Sequence, residues 1–159
     1  MKGFISYAHS DHAAFENLRP HLKTLERAFG IDLWADKRIK PGDYWSAKIS
    51  RAIDEAQLHL LLVTPSFFAS DYIFDHELPA INAKYTAGDL VIPIIVKRCC
   101  WATWLGPLQA TPMSPQGRLL PVVEWRPKEN GYDAAREQIA TAIEAHSCIP
   151  PKGLDWKRP

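Results

Sequence analysis

The sequence predicts an α/β fold, a flavodoxin-like, doubly wound, five-stranded parallel sheet with helices on both faces. Short apolar runs of strand length alternate along the chain with stripes of helical period. The run from Leu58 to Thr64 is almost continuously apolar, as expected for a strand covered on both faces. Strict alternation of strands and helices favours a parallel sheet with right-handed crossovers.

Each element rests on its own pattern of apolar residues and turn residues. The predicted strands are Phe4–Tyr7, Ile31–Trp34, Leu58–Thr64, Leu90–Val96 and Leu120–Trp125. The predicted helices have apolar stripes over 15–29, 45–56, 72–85 and 133–146.

Pro20, Pro79 and Pro93 fall inside predicted elements, and each implies a local adjustment. Pro20 lies within the first helix, which we expect to continue past it because the stripe continues, and Gly30 is expected to end that helix. Pro79 lies within the third helix, where tolerance depends on its closeness to the first turn. Pro93 lies within the fourth strand and predicts a bulge or an edge position.

The length of 159 residues suits one domain, which we place at residues 1–148. Residues 149–159 contain two adjacent prolines and no periodicity, which predicts a tail or a linker to a further domain. The N-terminus enters a strand-like run at once, so we expect no signal peptide. Three cysteines, two of them adjacent, form a poor disulfide framework, and we expect a reduced, cytoplasmic protein.

Several classes of function find no support in the sequence. A formal net charge of +1 gives no reason to expect direct binding to nucleic acid or to an acidic membrane surface. No apolar run approaches the roughly 20 residues that span a bilayer. The six histidines form no HExxH pair, and neither a Walker A loop nor GxGxxG is present. We therefore expect no metal and no bound cofactor.

The predicted topology places a crevice where the first and third strands meet, outside their carboxyl ends. The end of the first strand contributes Ser6–His9, and the end of the third contributes Thr64–Phe67. The loop 36–45, with Asp36 and Lys37, is long enough to fold over this crevice. The hydroxyls of Ser6, Tyr7 and Ser66, with nearby aromatic faces, suit a ligand that carries sugar hydroxyls and planar rings.

Glu77 is the carboxylate that the chain directs toward this crevice. It lies three residues after Phe74 and four before Ile81, at the edge of an apolar helix face. A partly buried carboxylate usually needs a partner or a function. The plainer interpretation is a carboxylate on the helix flank, paired with a nearby Lys or Arg.

Three segments together resemble a TIR (Toll/interleukin-1 receptor) domain. They are Phe4-Ile5-Ser6-Tyr7, then Asp36 followed by Pro41-Gly42 and Trp45, and then Ser70-Asp71-Tyr72 followed by Glu77. The resemblance covers roughly residues 2 to 146, and the bacterial NAD-cleaving branch is the most similar. Ile73 stands where many enzymatic members carry tryptophan.

The resemblance implies a hydrolase whose substrate, rather than cofactor, is NAD+. Cleavage of the nicotinamide–ribose bond would release nicotinamide and ADP-ribose, or a cyclic ADP-ribose variant. Glu77 matches the catalytic glutamate, and residues 36–45 match the BB loop, which gates the pocket and forms assembly contacts. The substrate-binding residues implied together with the crevice argument are Phe4, Ser6, Tyr7, Asp36, Lys37, Trp45, Ser66 and Tyr72.

The resemblance also implies partners. Other TIR domains are expected to join this one in a homo-oligomer or filament, under a fused or associated sensor domain, in antiphage immune signalling. A non-catalytic TIR–TIR interaction module is the alternative. A receiver-type domain is disfavoured, because it needs an acidic pair after the first strand and Asp11 stands alone there.

Overall fold

The computed structural model describes residues 1–35 and 45–146, in which four parallel strands form one sheet. The strands are β1 (Lys2–Ser6), β2 (Asp32–Ala35), β3 (Leu58–Val63) and β4 (Leu90–Ile95). Their order in the sheet is β2-β1-β3-β4, so β1 and β3 are neighbours although β2 lies between them in sequence. The predicted parallel α/β sheet with this switch point is confirmed.

The register of β1 against β3 brings their carboxyl ends to one edge of the sheet. Gly3 pairs with Leu58, and Ser6, the last residue of β1, pairs with Leu61. The residues that follow each strand therefore emerge side by side, and this edge holds the candidate site.

Helices cover both faces of the sheet, as the apolar stripes predicted. They are α1 (His12–Phe29), α2 (Trp45–Glu55), α3 (Pro65–Ala69), α4 (Leu78–Thr86), α5 (Trp101–Leu105) and α6 (Lys128–His146). One core contains buried residues of α1 and α6, among them Phe15 and Ile139. The other contains buried residues of α2 and α4, among them Ile53 and Ile81.

The first helix passes through Pro20 without a break and ends at Gly30, as predicted. Gly30 has a φ of 63°, a left-handed conformation that glycine adopts without steric penalty. Its N–H donates to the carbonyl of Glu26, so one of the open carbonyls at the helix end is satisfied.

The third predicted helix begins with a π-helical turn, Ile73–Glu77, which leads directly into α4. In that turn the N–H of Leu78 donates to the carbonyl of Ile73, five residues earlier. In a regular α-helix the ring of Pro79 would meet the carbonyl of Asp75. Pro79 instead lies in the first turn of α4, directly after the wider π-helical turn, and Glu77 is the last residue of that turn.

The prediction of a fifth strand at Leu120–Trp125 is wrong. Val122–Glu124 instead form a 3₁₀ turn behind Pro121, and Val122 is fully buried, so its apolar character reflects core packing. The place beside β4 is taken by Thr111, which forms an isolated bridge with Ile94. The bridge extends no further because Pro112 follows and has no N–H to donate.

Pro93 lies in an edge position, as predicted, because β4 ends the four-stranded order. Its carbonyl accepts from Thr111 N at 2.9 Å, and Ile95 N donates to Thr111 O at 2.7 Å. Residues 93 and 95 therefore direct their backbone groups away from β3. The missing N–H of Pro93 consequently removes no bond between β3 and β4.

Within the described ranges, no helix combines the length and apolar character needed to cross a membrane. The predicted tail, 149–159, lies outside the described residues.

Candidate functional site

A small cavity opens at the carboxyl edge of the sheet, at the end of β1. Its volume is about 80 Å³. The walls come from the end of β1, the turn after it, α2, the segment before the π-helical turn and that turn itself. The lining residues are Phe4, Ile5, Ser6, Tyr7, Ala8, His9, Ile49, Ser70, Tyr72, Ile73 and Glu77.

Ser6 and Glu77 face each other in this cavity, although they are 71 positions apart in the chain. The Ser6 hydroxyl donates to Glu77 Oε2 at 2.5 Å, a length typical of a charge-assisted bond to a carboxylate. Glu77 is 6% exposed and Ser6 is 1% exposed. This burial is deeper than a carboxylate on the exposed flank of a helix requires.

Aromatic side chains hold the rest of the wall in fixed orientations. The Phe4 ring stacks on Trp34 with centroids 5.6 Å apart, and the Tyr7 ring stacks on Phe15 at 4.7 Å. The Tyr72 ring lies 5.0 Å from the ring of His76. Tyr7 and Tyr72 are partly buried, so each presents an aromatic edge or face to the cavity.

Five of the nine site residues predicted from sequence line this one cavity: Phe4, Ser6, Tyr7, Tyr72 and Glu77. Ser66 does not line it; it is the second residue of α3 and is partly buried there. Asp36 and Lys37 lie outside the described residues, and so does the side chain of Trp45, the first residue of α2.

Four lining residues had not been singled out for the site: Ile5, Ile49, Ser70 and Ile73. Ile49 had been assigned to the apolar stripe of the second helix, and Ile73 had been noted as the position where many enzymatic members carry tryptophan; both are buried. Ser70 belongs to the Ser-Asp-Tyr segment, and its hydroxyl accepts the N–H of Ile73 at 3.4 Å. Ala8 and His9 had been placed at this edge by topology alone, and both line the cavity.

A second polar cluster lies under the turn that follows β1. Asp11 is 3% exposed, and the Thr64 hydroxyl donates to its Oδ2 at 2.5 Å. Lys97 Nζ lies 3.4 Å from Asp11 Oδ1. Thr64 also accepts the N–H of Phe67 at 3.1 Å, so one hydroxyl joins the β1 turn to the start of α3. In the sequence Asp11 has no acidic partner beside it, whereas in the structure it contacts Thr64 and Lys97.

This cluster does not make the site a metal centre. Over residues 1–35 and 45–146, no group of three or more His, Cys, Asp and Glu side chains is placed to hold a metal ion. The described wall of the cavity offers one carboxylate, hydroxyls and aromatic faces. Such a set can hydrogen-bond a sugar, pack against a planar ring and stabilise a positive charge next to Glu77.

A family model described as TIR domain matches residues 4–140. The chain belongs to the TIR domain family. The matched range runs from β1 into α6, so the cavity lies wholly within the TIR domain. The resemblance predicted from the three sequence segments is confirmed at the level of the family.

The TIR domain is also similar to an uncharacterized protein, y4lF, of Sinorhizobium fredii, with 33% identity over 142 residues. The alignment covers 88% of this chain and 42% of the relative. The chain therefore spans less than half the length of the curated relative that it matches.

Proposed function

We propose that this TIR domain is an NAD+ glycohydrolase that breaks the bond between ribose and nicotinamide, with Glu77 as the catalytic residue. The observation that carries the proposal is the buried Ser6–Glu77 pair in the cavity at the carboxyl end of β1. Ligands of doubly wound sheets bind outside the carboxyl ends of the strands at this switch point.

The chemistry needs little more than a well-placed carboxylate. As the bond from ribose C1′ to the nicotinamide nitrogen breaks, positive charge builds on the sugar, as in glycoside cleavage. The Glu77 carboxylate is suited to hydrogen-bond the ribose hydroxyls and to stabilise that charge in a site with little water. Nicotinamide leaves as a neutral molecule, so no general acid is required.

The size of the cavity indicates which part of the substrate it holds. Its volume of about 80 Å³ is far below the roughly 300–1,000 Å³ of pockets that enclose whole ligands. We therefore propose that the ribose next to nicotinamide lies against Glu77, and that the adenosine half extends beyond the described walls. Water capture at C1′ gives ADP-ribose, and capture by the adenine end gives a cyclic product.

We further propose that this activity is switched on when TIR domains assemble, in antiphage immune signalling under a sensor domain. The longer relative is consistent with a TIR domain that works as one part of a larger protein. On this proposal, NAD+ cleavage per chain rises with protein concentration.

The test compares nicotinamide release by the native chain with release by Glu77→Gln and Glu77→Ala at high protein concentration. Loss of turnover in both folded variants supports the proposal. Full turnover in both variants overturns the assignment of Glu77. No turnover by the concentrated native chain, together with self-association, favours the non-catalytic interaction module instead.

A further inference from the structure

We propose that His9 is the base that takes the proton from the attacking water, so that His9 directs the reaction toward hydrolysis. This inference rests on the proposed NAD+ cleavage and deepens it. His9 lines the same cavity as Glu77 and begins the 3₁₀ turn His9–Asp11 that follows β1.

The described cavity wall offers few groups that can exchange a proton near neutral pH. Its titratable members are Tyr7, His9, Tyr72 and Glu77. A phenol loses its proton only at about pH 10, whereas an imidazole exchanges one between about pH 5 and 8. Glu77 is assigned to the sugar cation and accepts a hydrogen bond from Ser6. Of the described wall residues, His9 is therefore best suited to deprotonate water.

The buried Asp11 cluster anchors the turn that carries His9. The Asp11 N–H donates to the Ala8 carbonyl at 2.8 Å, which closes the turn around His9. The Asp11 carboxylate is tied to Thr64 at 2.5 Å and to Lys97 at 3.4 Å, at the ends of β3 and β4. The turn is thus anchored to the sheet edge at its buried end. His9, at the exposed end, lies at the cavity mouth.

The proposed step balances as follows. The C1′–N bond breaks, and its electron pair leaves with nicotinamide. A water oxygen then forms the C1′–O bond of ADP-ribose, while one water proton moves to an imidazole nitrogen of His9. Because His9 is exposed, the proton passes on to solvent. The reverse attack on C1′ by a second nicotinamide uses the lone pair of the ring nitrogen and releases no proton.

This difference separates the role of His9 from that of Glu77. The intact chain, at high concentration, is given NAD+ and deuterated nicotinamide. ADP-ribose formation reports hydrolysis, and deuterium in NAD+ reports exchange. In His9→Gln we expect hydrolysis to fall at least about a hundredfold, the lower end of the usual range for a general base, while exchange changes by less than about twofold. His21→Gln on α1 is the matched control and should keep the native ratio.

An unchanged ratio of hydrolysis to exchange in His9→Gln would overturn the inference. A parallel fall of both reactions in the folded variant would also overturn it, because His9 would then act on bond cleavage. The proposed function fails in a different way. Either the native chain shows neither reaction, which also removes the basis for His9, or Glu77→Gln keeps both.

Discussion

The Ser6 hydroxyl donates a hydrogen bond of 2.5 Å to Glu77 Oε2, across the junction between β1 and the π-helical turn. The bond joins the last residue of a central strand to the one carboxylate of the described cavity wall. A buried carboxylate is stabilised when a donor meets it. The pair therefore holds Glu77 in one position in the crevice.

Ser6→Ala removes this donor with little change in volume. A hydrogen bond to a charged group contributes about 1.5–3 kcal/mol, which corresponds to a rate effect of roughly 10- to 150-fold if the bond holds Glu77 in its reactive position. We expect turnover of NAD+ to fall by about that factor while the chain stays folded. Initial rates of nicotinamide release measure the effect.

Ser50→Ala, on the exposed side of α2, is the matched control and should leave the rate unchanged. A Ser6→Ala variant with the native rate would show that the hydrogen bond to Glu77 has no part in the reaction.

Pro79→Ala tests whether the π-helical turn matters for the site. Alanine has an N–H and no ring, so the segment Ile73–Glu77 could return to regular α-helical hydrogen bonding and turn Glu77 away from Ser6. We expect turnover to fall while the thermal midpoint stays the same or rises, because alanine favours helix. Thermal unfolding and nicotinamide release, measured on the same preparation, separate the two effects. Native turnover in Pro79→Ala would contradict this role for the turn.

Much of the fold follows from local pattern. The stripes at helical period and the buried run of β3 are set by which residues meet the core, and α1 follows its stripe through Pro20 to Gly30. The predicted fifth strand failed because core burial of Val122 looks the same in sequence whether the backbone is a strand or a 3₁₀ turn. The N-terminal end of α6 was placed too late, at Asp133 rather than Lys128.

The sequence predicted the site residues whose positions follow from the order of the strands. It did not predict contacts between residues that are far apart in the chain. The switch point placed Ser6, Tyr7 and His9 at the correct edge. The contact between Asp11 and Lys97 joins residues 86 positions apart, and no local signal marks it. The π-helical turn was also missed, because the spacing of Phe74, Leu78, Ile81 and Tyr85 is that of a regular α-helix.

Thr64→Val tests the buried cluster under the cavity. Valine keeps the shape but leaves buried Asp11 without the donor at 2.5 Å, and it removes the cap on Phe67 N–H. We expect the free energy of unfolding to fall by about 1–3 kcal/mol, as for an unsatisfied buried polar group. Urea unfolding measures this loss of stability, and Thr141→Val, at an exposed position of α6, is the control. An unchanged midpoint in Thr64→Val would mean that the cluster adds no stability.

His59 predicts how stability depends on pH. The side chain is 0% exposed, and burial lowers its pKa, although Asp89 Oδ2 at 3.6 Å from Nε2 opposes the shift. The unfolded chain therefore binds a proton at this histidine more readily than the folded chain does. The stability that depends on neutral His59 is complete above about pH 6.5 and is lost as the pH falls below that value.

The measurement for His59 is the thermal midpoint at pH values from 8 to 5, a span of about three units around the histidine pKa. His59→Leu should lose less of its midpoint on acidification than the native chain, since its side chain takes up no proton. His76→Leu, at an exposed position, should keep the native dependence. Equal pH dependence in the native chain and His59→Leu would contradict the assignment of this pH dependence to His59.

The most direct test of the central proposal is nicotinamide release from NAD+ by the native chain and by Glu77→Gln. Both proteins are measured at high concentration, after circular dichroism has shown that both are folded. Glu144→Gln, an exposed change of the same kind on α6, is the matched control. We predict turnover by the native chain and by Glu144→Gln, and a loss of at least about a hundredfold in Glu77→Gln, since electrostatic stabilisation of the cation is removed. Equal turnover by Glu77→Gln and the native chain would contradict the account.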